Sequence, residues 1–309
     1  MAFWLIILIF PLSSKEKLSI LGIGNSFTNN AYMYLGDISD ASETHDLFLG
    51  RATIGGCSLE KHHNLMKMNE LDSSKGKYYT YKKRDPQTSK TVSVKNESLK
   101  FALKDHQWDI VTLQQLSSLS TEVSSYQPYL NDLIAFVKKH APQAKIMMHQ
   151  TWAYRIDGDF DKVWPDKAGY NQNDMYRDSS NAYKFYCEEL KLDLIPVGAA
   201  FQLAREARPY VPVEIGNLVY KKDKLPKQPN SLCVGYKWNK KNGTVGMDSH
   251  HANQLGCLLA GLVWFEKITE QDATALKLDK VKMSSDSKNF YKKIAHDVVT
   301  VGNRVDIKY

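Results

Sequence analysis

Apolar runs alternate with amphipathic stretches along the chain from Lys17 onward. Five short apolar runs are predicted as strands: Leu18–Gly24, Leu47–Ala52, Trp108–Gln114, Lys145–His149 and Leu192–Val197. Helices are predicted after Ser26, near Tyr126–His140 and over Leu255–Phe265, where almost continuous apolarity indicates burial against the sheet. Because strands and helices alternate, the pattern predicts an α/β protein with a mostly parallel sheet.

Two stretches interrupt this alternation. Within residues 72–98, aromatic and β-branched residues alternate with Lys and Thr around Arg84-Asp85-Pro86, which predicts a solvated hairpin. Residues 209–246 are rich in Pro, Lys, Asn and Gly, and are predicted as a long insertion loop of the kind that often forms a functional rim. Neither stretch marks a domain boundary, so residues 15–309 are predicted to form one domain with two insertions.

Residues 1–14 have a different character. Ala2–Phe10 is an unbroken apolar run followed by Pro11-Leu12-Ser13-Ser14, which is the form of a signal peptide and its cleavage site. A buried first strand is the alternative, although the proline and the polar residues would end it abruptly. The run is shorter than the roughly 20 residues of a membrane span. We therefore expect export to the periplasm or the exterior of a bacterial cell, without an integral membrane span.

The composition excludes several classes of protein. The chain has 309 residues, of which 43% are hydrophobic and 24% charged, so disordered, collagen-like and coiled-coil proteins are excluded. The net charge of +7 is mild for this length and spread along the chain, and it does not predict a nucleic-acid partner. Four cysteines without a C-x-x-C pair predict neither a disulfide scaffold nor a zinc site.

Ser26 is the first candidate for chemistry. It follows the first predicted strand within Gly24-Asn25-Ser26-Phe27-Thr28 and precedes a predicted helix. Ligands of open parallel sheets bind beyond the carboxyl ends of the strands. The first N–H groups of a helix lack intrahelical partners and stabilise nearby negative charge, so Ser26 is a candidate nucleophile whose own amide helps to hold an oxyanion. The alternative is an ordinary N-cap, a position that serine often fills.

A second motif, Asp248-Ser249-His250-His251, lies just before the last apolar helix. A serine hydroxyl becomes a good nucleophile when a base takes its proton, and the base needs a partner that fixes its tautomer. Asp248 and His251 are three residues apart on a predicted turn, so the carboxylate can reach one ring nitrogen and leave the other for Ser26. His250 competes for this role, and the spacing favours His251. A capping arrangement before the helix is the alternative.

Two other loops are predicted on the same edge of the sheet. Adjacent glycines, Gly55 and Gly56, follow the second strand and allow a backbone N–H to face a ligand, as an oxyanion hole requires; a plain tight turn has the same pattern. Gln114 and Gln115 end the third strand, where a side-chain amide can add a further donor.

Aromatic residues follow the fourth predicted strand. Trp152, Tyr154 and Trp164 are expected either to stack on sugar rings beside the site or to pack the loop itself. Trp152, Tyr154, Gln114 and His250 are therefore candidate substrate-binding residues.

The motifs Gly24–Thr28 and Asp248–His251 resemble the first and last blocks of the SGNH (GDSL-like) hydrolase superfamily. Thr151–Tyr154 and Ile195–Ala200 resemble an uncharacterised branch of it found among glycan-degrading bacteria. The resemblance extends over residues 18–268. It implies a flavodoxin-like three-layer αβα sandwich with a mostly parallel sheet, and ester hydrolysis through a Ser–His–Asp triad without a cofactor.

On this sequence the resemblance implies Ser26 as nucleophile, His251 as base and Asp248 as its orienting acid, with the N–H groups of Ser26 and Gly56 in the oxyanion hole. The sequence departs from the family at two positions. Asn25 stands where the family has an Asp that is not the triad acid. The Asn that completes the family's oxyanion hole is missing, and Gln115, or else Gln114, is expected to replace it.

Together these features predict an exported serine esterase that removes a small ester, most simply an O-acetyl group, from a carbohydrate. A lipase or thioesterase would use the same residues. A glycan-binding protein that has kept the fold and lost efficient catalysis is the alternative from another class. We expect an acylated glycan or small ester as the partner, no nucleic acid, and no metal, because no His pair has H-E-x-x-H spacing.

Overall fold

The computed structural model describes residues 14–213 and 225–301. The strands in this part of the chain are β1 (Glu16–Gly24), β2 (His45–Thr53), β3 (Tyr79–Arg84), β4 (Thr91–Glu97), β5 (Ile110–Leu113), β6 (Lys145–His149), β7 (Asp193–Ile195), β8 (Cys233–Asn239) and β9 (Thr244–Ala252). The α-helices are α1 (Ser26–Ala41), α2 (Leu59–Leu71), α3 (Leu99–Lys104), α4 (Tyr129–His140), α5 (Phe160–Val163), α6 (Gln172–Leu190), α7 (Val197–Ala207), α8 (Gln254–Thr269) and α9 (Ser285–Val301). All five predicted strands and the three predicted helices are confirmed.

A seven-stranded sheet organises the molecule, with the order β4-β3-β2-β1-β5-β6-β7. Strands β2, β1, β5, β6 and β7 are parallel. Numbered among themselves, these five run 2-1-3-4-5, the flavodoxin-like order, in which the direction of winding reverses beside β1. The predicted fold class is confirmed, and the point of reversal puts the loop after β1 where such sheets bind ligands.

Helices cover both faces of the sheet. Alternate residues of β1 belong to different apolar cores, since Ile20 packs with the face covered by α1, α7, α8 and α9, whereas Leu21 and Ile23 pack with α2, α3, α4 and α6. Side chains of a strand point alternately to its two faces, so a strand between two helical layers must be apolar throughout. This explains why β1 reads as a continuous apolar run.

Both interrupting stretches contain antiparallel hairpins. Strands β3 and β4 pair with each other, and β3 also pairs with β2, so the predicted hairpin is confirmed and extends the sheet beyond β2. The prediction of a long loop over 209–246 is wrong for its last part, because β8 pairs with β9 from residue 233 onward. The local composition does not predict this hairpin, because most of its side chains are polar or partly exposed.

Other expectations fall partly outside the described residues. The predicted signal peptide at residues 1–14 lies outside them except for its last residue, and so do residues 214–224 of the second insertion. No α-helix within residues 14–213 or 225–301 is long and apolar enough to cross a bilayer.

Candidate active site

Ser26 is the first residue of α1, and Asn25 is its N-cap. The Asn25 Oδ1 atom accepts a hydrogen bond from the Phe27 N–H at 3.0 Å. The Ser26 hydroxyl is therefore not used for capping, which excludes the N-cap interpretation of that serine. The Ser26 N–H has no acceptor within the described parts of the chain. It remains available to a negatively charged group at the positive end of the helix.

Asp248 and His251 lie on β9, in contrast to the turn predicted from the sequence. Residues three apart on a regular strand point to opposite faces. Here the register with β8 shifts, since Gly235 pairs with Asp248 but Cys233 pairs with Ala252, so β9 bulges between the two pairs. The bulge turns the side chain of His251 toward that of Asp248, which is how such irregularities re-aim a residue beside a site.

The three predicted triad residues lie within hydrogen-bonding distance of one another. The distance from Ser26 Oγ to His251 Nε2 is 2.9 Å, and those from His251 Nδ1 to the two Asp248 carboxylate oxygens are both 3.1 Å. The His251 N–H also donates to Asp248 Oδ1 at 3.1 Å. The order hydroxyl, imidazole, carboxylate is the one in which the imidazole can take a proton from the serine while the acid fixes its tautomer.

A lysine that the sequence reading missed contacts the triad acid. Lys237 Nζ on β8 lies 2.6 Å from Asp248 Oδ2, and Asp248 is 6% exposed. Burial raises the pKa of Asp248, but hydrogen bonds from His251 and Lys237 outweigh this and hold the pKa well below its usual range. Asp248 is therefore an anion at neutral pH. Only the register of the β8–β9 hairpin brings Lys237 to this position, and the sequence reading did not predict that hairpin.

His250 flanks the site. Its ring centroid lies 4.1 Å from that of His251 and 5.5 Å from that of Tyr154. Burial and the neighbouring His251 lower the pKa of His250, which favours its neutral form. The Tyr154 hydroxyl is 3.0 Å from Ser117 Oγ. The structure thus brings His250 and Tyr154 beside the triad, with His251 facing Ser26.

The glycine turn after β2 is fastened to the start of α1. The Ile54 N–H donates to Gly24 O at 3.2 Å, and Asn25 Nδ2 donates to Cys57 O at 3.0 Å. Between these two ties lie Gly55 and Gly56, whose N–H groups have no acceptor among the described residues. Gly56 has φ of +60°, which glycine adopts without strain. The turn thus holds free donors beside Ser26.

The two glutamines have other partners. Gln115 Nε2 donates to the backbone and hydroxyl oxygens of Ser125 at 2.9 and 3.0 Å, and its Oε1 accepts from the Leu59 and Leu116 N–H groups. Gln114 Nε2 donates to Asn25 Oδ1 at 2.9 Å. Both amides are buried and engaged, so neither is available to an oxyanion or a substrate.

Trp152 is a core residue, contrary to the expectation of an exposed sugar platform. Its ring stacks between those of Phe27, at 4.0 Å, and Phe201, at 4.5 Å, and the residue is fully buried. Its Nε1–H donates to His250 O at 2.8 Å. Trp152 therefore ties the first turn of α1 to the strand that carries His251. Trp164 is also buried, so the alternative that these aromatic residues pack their own surroundings holds for both tryptophans.

A groove of ≈ 920 Å³ begins beside this site. Its near end is formed by Ile54 and Gly55 of the glycine turn and by Asn29 and Asn30 in the first turn of α1. From there it runs between α1 and strands β2, β3 and β4. The Asn30 Oδ1 atom accepts from the Ala252 N–H at 3.3 Å, which joins the groove wall to the strand of His251.

Within residues 14–213 and 225–301, two groups of side chains have ligand atoms close enough together to hold a cation. Asp248, His250 and His251 form one group, with ligand atoms within 4.8 Å of one another. Glu266, Asp272 and His296 form the other, between α8 and α9. In the first group the hydrogen bonds of Asp248 and His251 already account for the arrangement.

The fold and site define an α/β protein with a hydroxyl, an imidazole and a carboxylate aligned where its sheet reverses winding. The chain belongs to the DUF4886 family, a domain of unknown function, whose family model matches residues 19–221. It is similar to a crystal structure of a DUF4886 family protein from Bacteroides uniformis, with 25% identity, a TM-score of 0.73, and coverage of 94% of this chain and 97% of that chain. No curated protein matches the chain significantly.

Other solved structures are more distantly similar. One is a candidate SGNH hydrolase from Slackia heliotrinireducens, with 19% identity, a TM-score of 0.46, and coverage of 81% of this chain and 98% of that chain. Another is a candidate GDSL-like lipase from Parabacteroides merdae, with 14% identity, a TM-score of 0.45, and coverage of 82% and 97%. TM-scores below 0.5 are too low to transfer an activity.

Proposed function

We propose that this protein is a serine hydrolase that cleaves a carboxylic ester through Ser26, His251 and Asp248. The observation that carries the proposal is the 2.9 Å distance between Ser26 Oγ and His251 Nε2, with the other ring nitrogen 3.1 Å from the carboxylate. Ser26 and His251 are 225 positions apart in the chain, so only the tertiary fold brings them together. A hydroxyl–imidazole–carboxylate series that ends on a buried carboxylate is the arrangement that activates a serine.

The reaction follows from these contacts. As Ser26 Oγ attacks the carbonyl carbon of the ester, His251 Nε2 takes the hydroxyl proton. The carbonyl oxygen becomes an anion that accepts hydrogen bonds from the N–H groups of Ser26 and Gly56. His251 then gives its proton to the leaving alcohol, and an acyl group remains on Ser26. Water, deprotonated by His251, releases the acid, while Asp248 stabilises the imidazolium in both steps.

The oxyanion hole in this proposal has two backbone donors and no side-chain amide. Each donor to the developing charge contributes roughly 3–4 kcal/mol to the transition state. Because Gln114 and Gln115 are engaged elsewhere, we expect a hydrolase with a smaller rate enhancement than one with a third donor.

The groove favours a polar substrate. Most of its lining residues are polar or charged, and apolar side chains such as Met33, Leu49 and Ile54 are a minority. A long acyl chain gains its binding energy from apolar contact, which this lining provides only in part. We therefore propose a small ester, such as O-acetyl, on a carbohydrate. The N-terminal apolar run supports an exported location for such an enzyme.

Hydrolysis of 4-nitrophenyl acetate tests the proposal. We expect Ser26→Ala and His251→Ala each to lower kcat at least about a thousandfold, because both residues act in one unit. Ser249→Ala and His63→Ala are matched controls outside this unit and should keep the activity of the unsubstituted protein. Activity unchanged in either triad variant would overturn the assignment. An inactive unsubstituted protein that still binds acetylated oligosaccharides would instead favour the glycan-binding alternative.

A further inference from the structure

The groove beside the site has a strongly cationic lining. Five of its lining residues are basic and one, Asp37, is acidic. The basic residues are Arg51, Lys82, Lys83, Arg84 and Lys95. Lys83 pairs with Asp105 and Arg84 with Asp40, so within the described residues the cations of the groove without an acidic partner are Arg51, Lys82 and Lys95. This excess of basic over acidic residues is concentrated in the groove, since the whole chain has 41 basic and 34 acidic residues. A groove walled by one sign of charge concentrates ligands of the opposite sign.

Strand register places several of these side chains in a row. Arg51 of β2 pairs with Lys82 of β3, and Lys82 pairs with Ser93 of β4. Residues directly opposite in a sheet share a face, so Arg51, Lys82 and Ser93 project on the same side. On the other side of β2, Arg51 pairs with Gly22 of β1, where Thr28 and Tyr32 of α1 pack so closely that a side chain at Gly22 would clash with them. The row therefore crosses the floor of the groove.

Arg51 has an unused hydrogen-bonding group. Its Nε atom is buried without a hydrogen-bond partner in the described parts of the chain, and its guanidinium faces the ring of Tyr32 at 5.6 Å. Arg84, at the far end, binds Asp40 through Nη2 at 2.8 Å, but its Nη1 atom is also buried and without a partner there. A buried donor without an acceptor is unfavourable, and an anionic ligand would supply the acceptor that is missing.

The distance from the row to the nucleophile suits one connected substrate. Gly24, which precedes the Asn25 cap, pairs with Thr53, and Gly22 pairs with Arg51 two residues earlier. Two residues of strand span about 7 Å. A substrate with its ester carbonyl at Ser26 would therefore place a neighbouring group of the same substrate molecule over Arg51 and Lys82.

We propose that the groove binds the anionic part of the substrate, and that the substrate is an acylated acidic glycan with carboxylate or sulfate groups. This inference rests on the proposed hydrolase function and specifies its substrate class. The planar guanidinium of Arg51 matches a carboxylate or a sulfate by paired hydrogen bonds, and Lys82 and Lys95 add charge without a fixed geometry.

The remaining lining fits a glycan better than a nucleic acid. Hydroxyl groups of Thr53, Thr80, Thr91 and Ser93 line the groove and can bond to sugar hydroxyls. Tyr78 contributes an exposed aromatic ring, 62% accessible, at the end near the glycine turn. Binding of single-stranded nucleic acid depends on successive aromatic platforms along an exposed basic track. In this groove the row of cations is at the floor and Tyr78 is at one end.

Direct binding tests the groove independently of catalysis. In the full chain carrying Ser26→Ala, calorimetry would measure the affinity for oligogalacturonate, a sulfated galactan oligosaccharide and a neutral xylo-oligosaccharide of equal length. We expect at least one anionic oligosaccharide to bind about tenfold or more tightly than the neutral one, with an affinity that falls as salt rises. The two anionic probes distinguish carboxylate from sulfate recognition. Equal affinity for the neutral and both anionic oligosaccharides would overturn the inference.

Variants locate the binding. Arg51→Gln and Lys82→Gln should each weaken the favoured anionic oligosaccharide about three- to tenfold, whereas Lys90→Gln, an exposed lysine at the turn of the same hairpin, should not. Circular dichroism of the Arg51 and Lys82 variants should match that of the unsubstituted protein, which reports on folding, and Lys90→Gln should leave hydrolysis of 4-nitrophenyl acetate unchanged. Equal weakening by Lys90→Gln, or equally tight binding of oligouridylate of the same charge, would overturn the inference. If the protein hydrolyses no ester but still binds anionic oligosaccharides selectively, the proposed hydrolase function is rejected and the proposed binding role of the groove stands.

Discussion

Asn25 links three loops of the site, and its replacement by aspartate gives a sharp prediction. Its Oδ1 atom accepts from the Phe27 N–H and from Gln114 Nε2, and its Nδ2 atom donates to Cys57 O at 3.0 Å. An ionised aspartate would keep the two accepted bonds. It would place a carboxylate oxygen, instead of a donor, against the carbonyl of Cys57.

The cost follows from that single contact. Asn25 is 1% exposed, so the lost hydrogen bond and the unpaired buried carbonyl together should lower the free energy of unfolding by roughly 2–4 kcal/mol. A protonated aspartate can still donate to Cys57 O, so the fold raises the pKa of the new carboxyl. The stability of the variant is therefore greatest below about pH 4 and is lost as the pH rises through the raised pKa.

Urea unfolding from pH 4 to pH 8 measures this effect, with Asn29→Asp as the matched control. Asn29 is exposed on the same helix and should show no such pH-dependent loss. We also expect kcat of Asn25→Asp on 4-nitrophenyl acetate to fall, because the glycine turn loses one of its two hydrogen bonds to the junction between β1 and α1. A variant as stable and as active as the unsubstituted protein at pH 8 would refute this reasoning.

Two further predictions concern charges in and near the site. Lys237→Met removes a contact that lowers the pKa of Asp248, while the burial that raises this pKa remains. We therefore expect kcat to fall about two- to fivefold, and to fall more at pH 5 than at pH 8. Lys240→Met is the control and should leave kcat unchanged. Burial lowers the pKa of His149 to about 3, so unfolding takes up a proton below about pH 6.5 and stability is lost as the pH falls. Between pH 7.5 and pH 5, the free energy of unfolding of His149→Leu should therefore fall by about 2 kcal/mol less than that of the unsubstituted protein, as measured by urea unfolding. The same pH dependence in both proteins would contradict this prediction.

Much of the fold could be predicted because its sheet is buried on both faces. Strands β1, β5 and β6 are short apolar runs, and α8 is almost entirely apolar, so each is visible in the sequence without knowledge of its neighbours. The β8–β9 hairpin has no such pattern. Its register depends on pairing between partly exposed polar strands, and the sequence reading consequently also missed Lys237.

The triad residues could be predicted from residue types and spacing, but their local structure could not. Asp248 and His251 meet because of a bulge in β9, which depends on the pairing with β8. Trp152 follows a strand end, where the sequence allows either a sugar platform or packing within the loop, and it packs between Phe27 and Phe201 from distant parts of the chain. Likewise, the partners that engage Gln115 come from the start of α2, at Leu59, and from Ser125 in the segment before α4. Tertiary contacts of this kind leave no periodic signal.

Covalent labelling with a fluorophosphonate, followed by peptide mass spectrometry, tests the central claim most directly. The reagent phosphonylates a serine activated by a neighbouring base, with loss of fluoride. We expect one adduct, on Ser26 in the peptide that begins α1, with labelling abolished by Ser26→Ala and slowed at least about a hundredfold by His251→Ala. An adduct on another residue, or labelling of Ser26 at an unchanged rate without His251, would contradict the account.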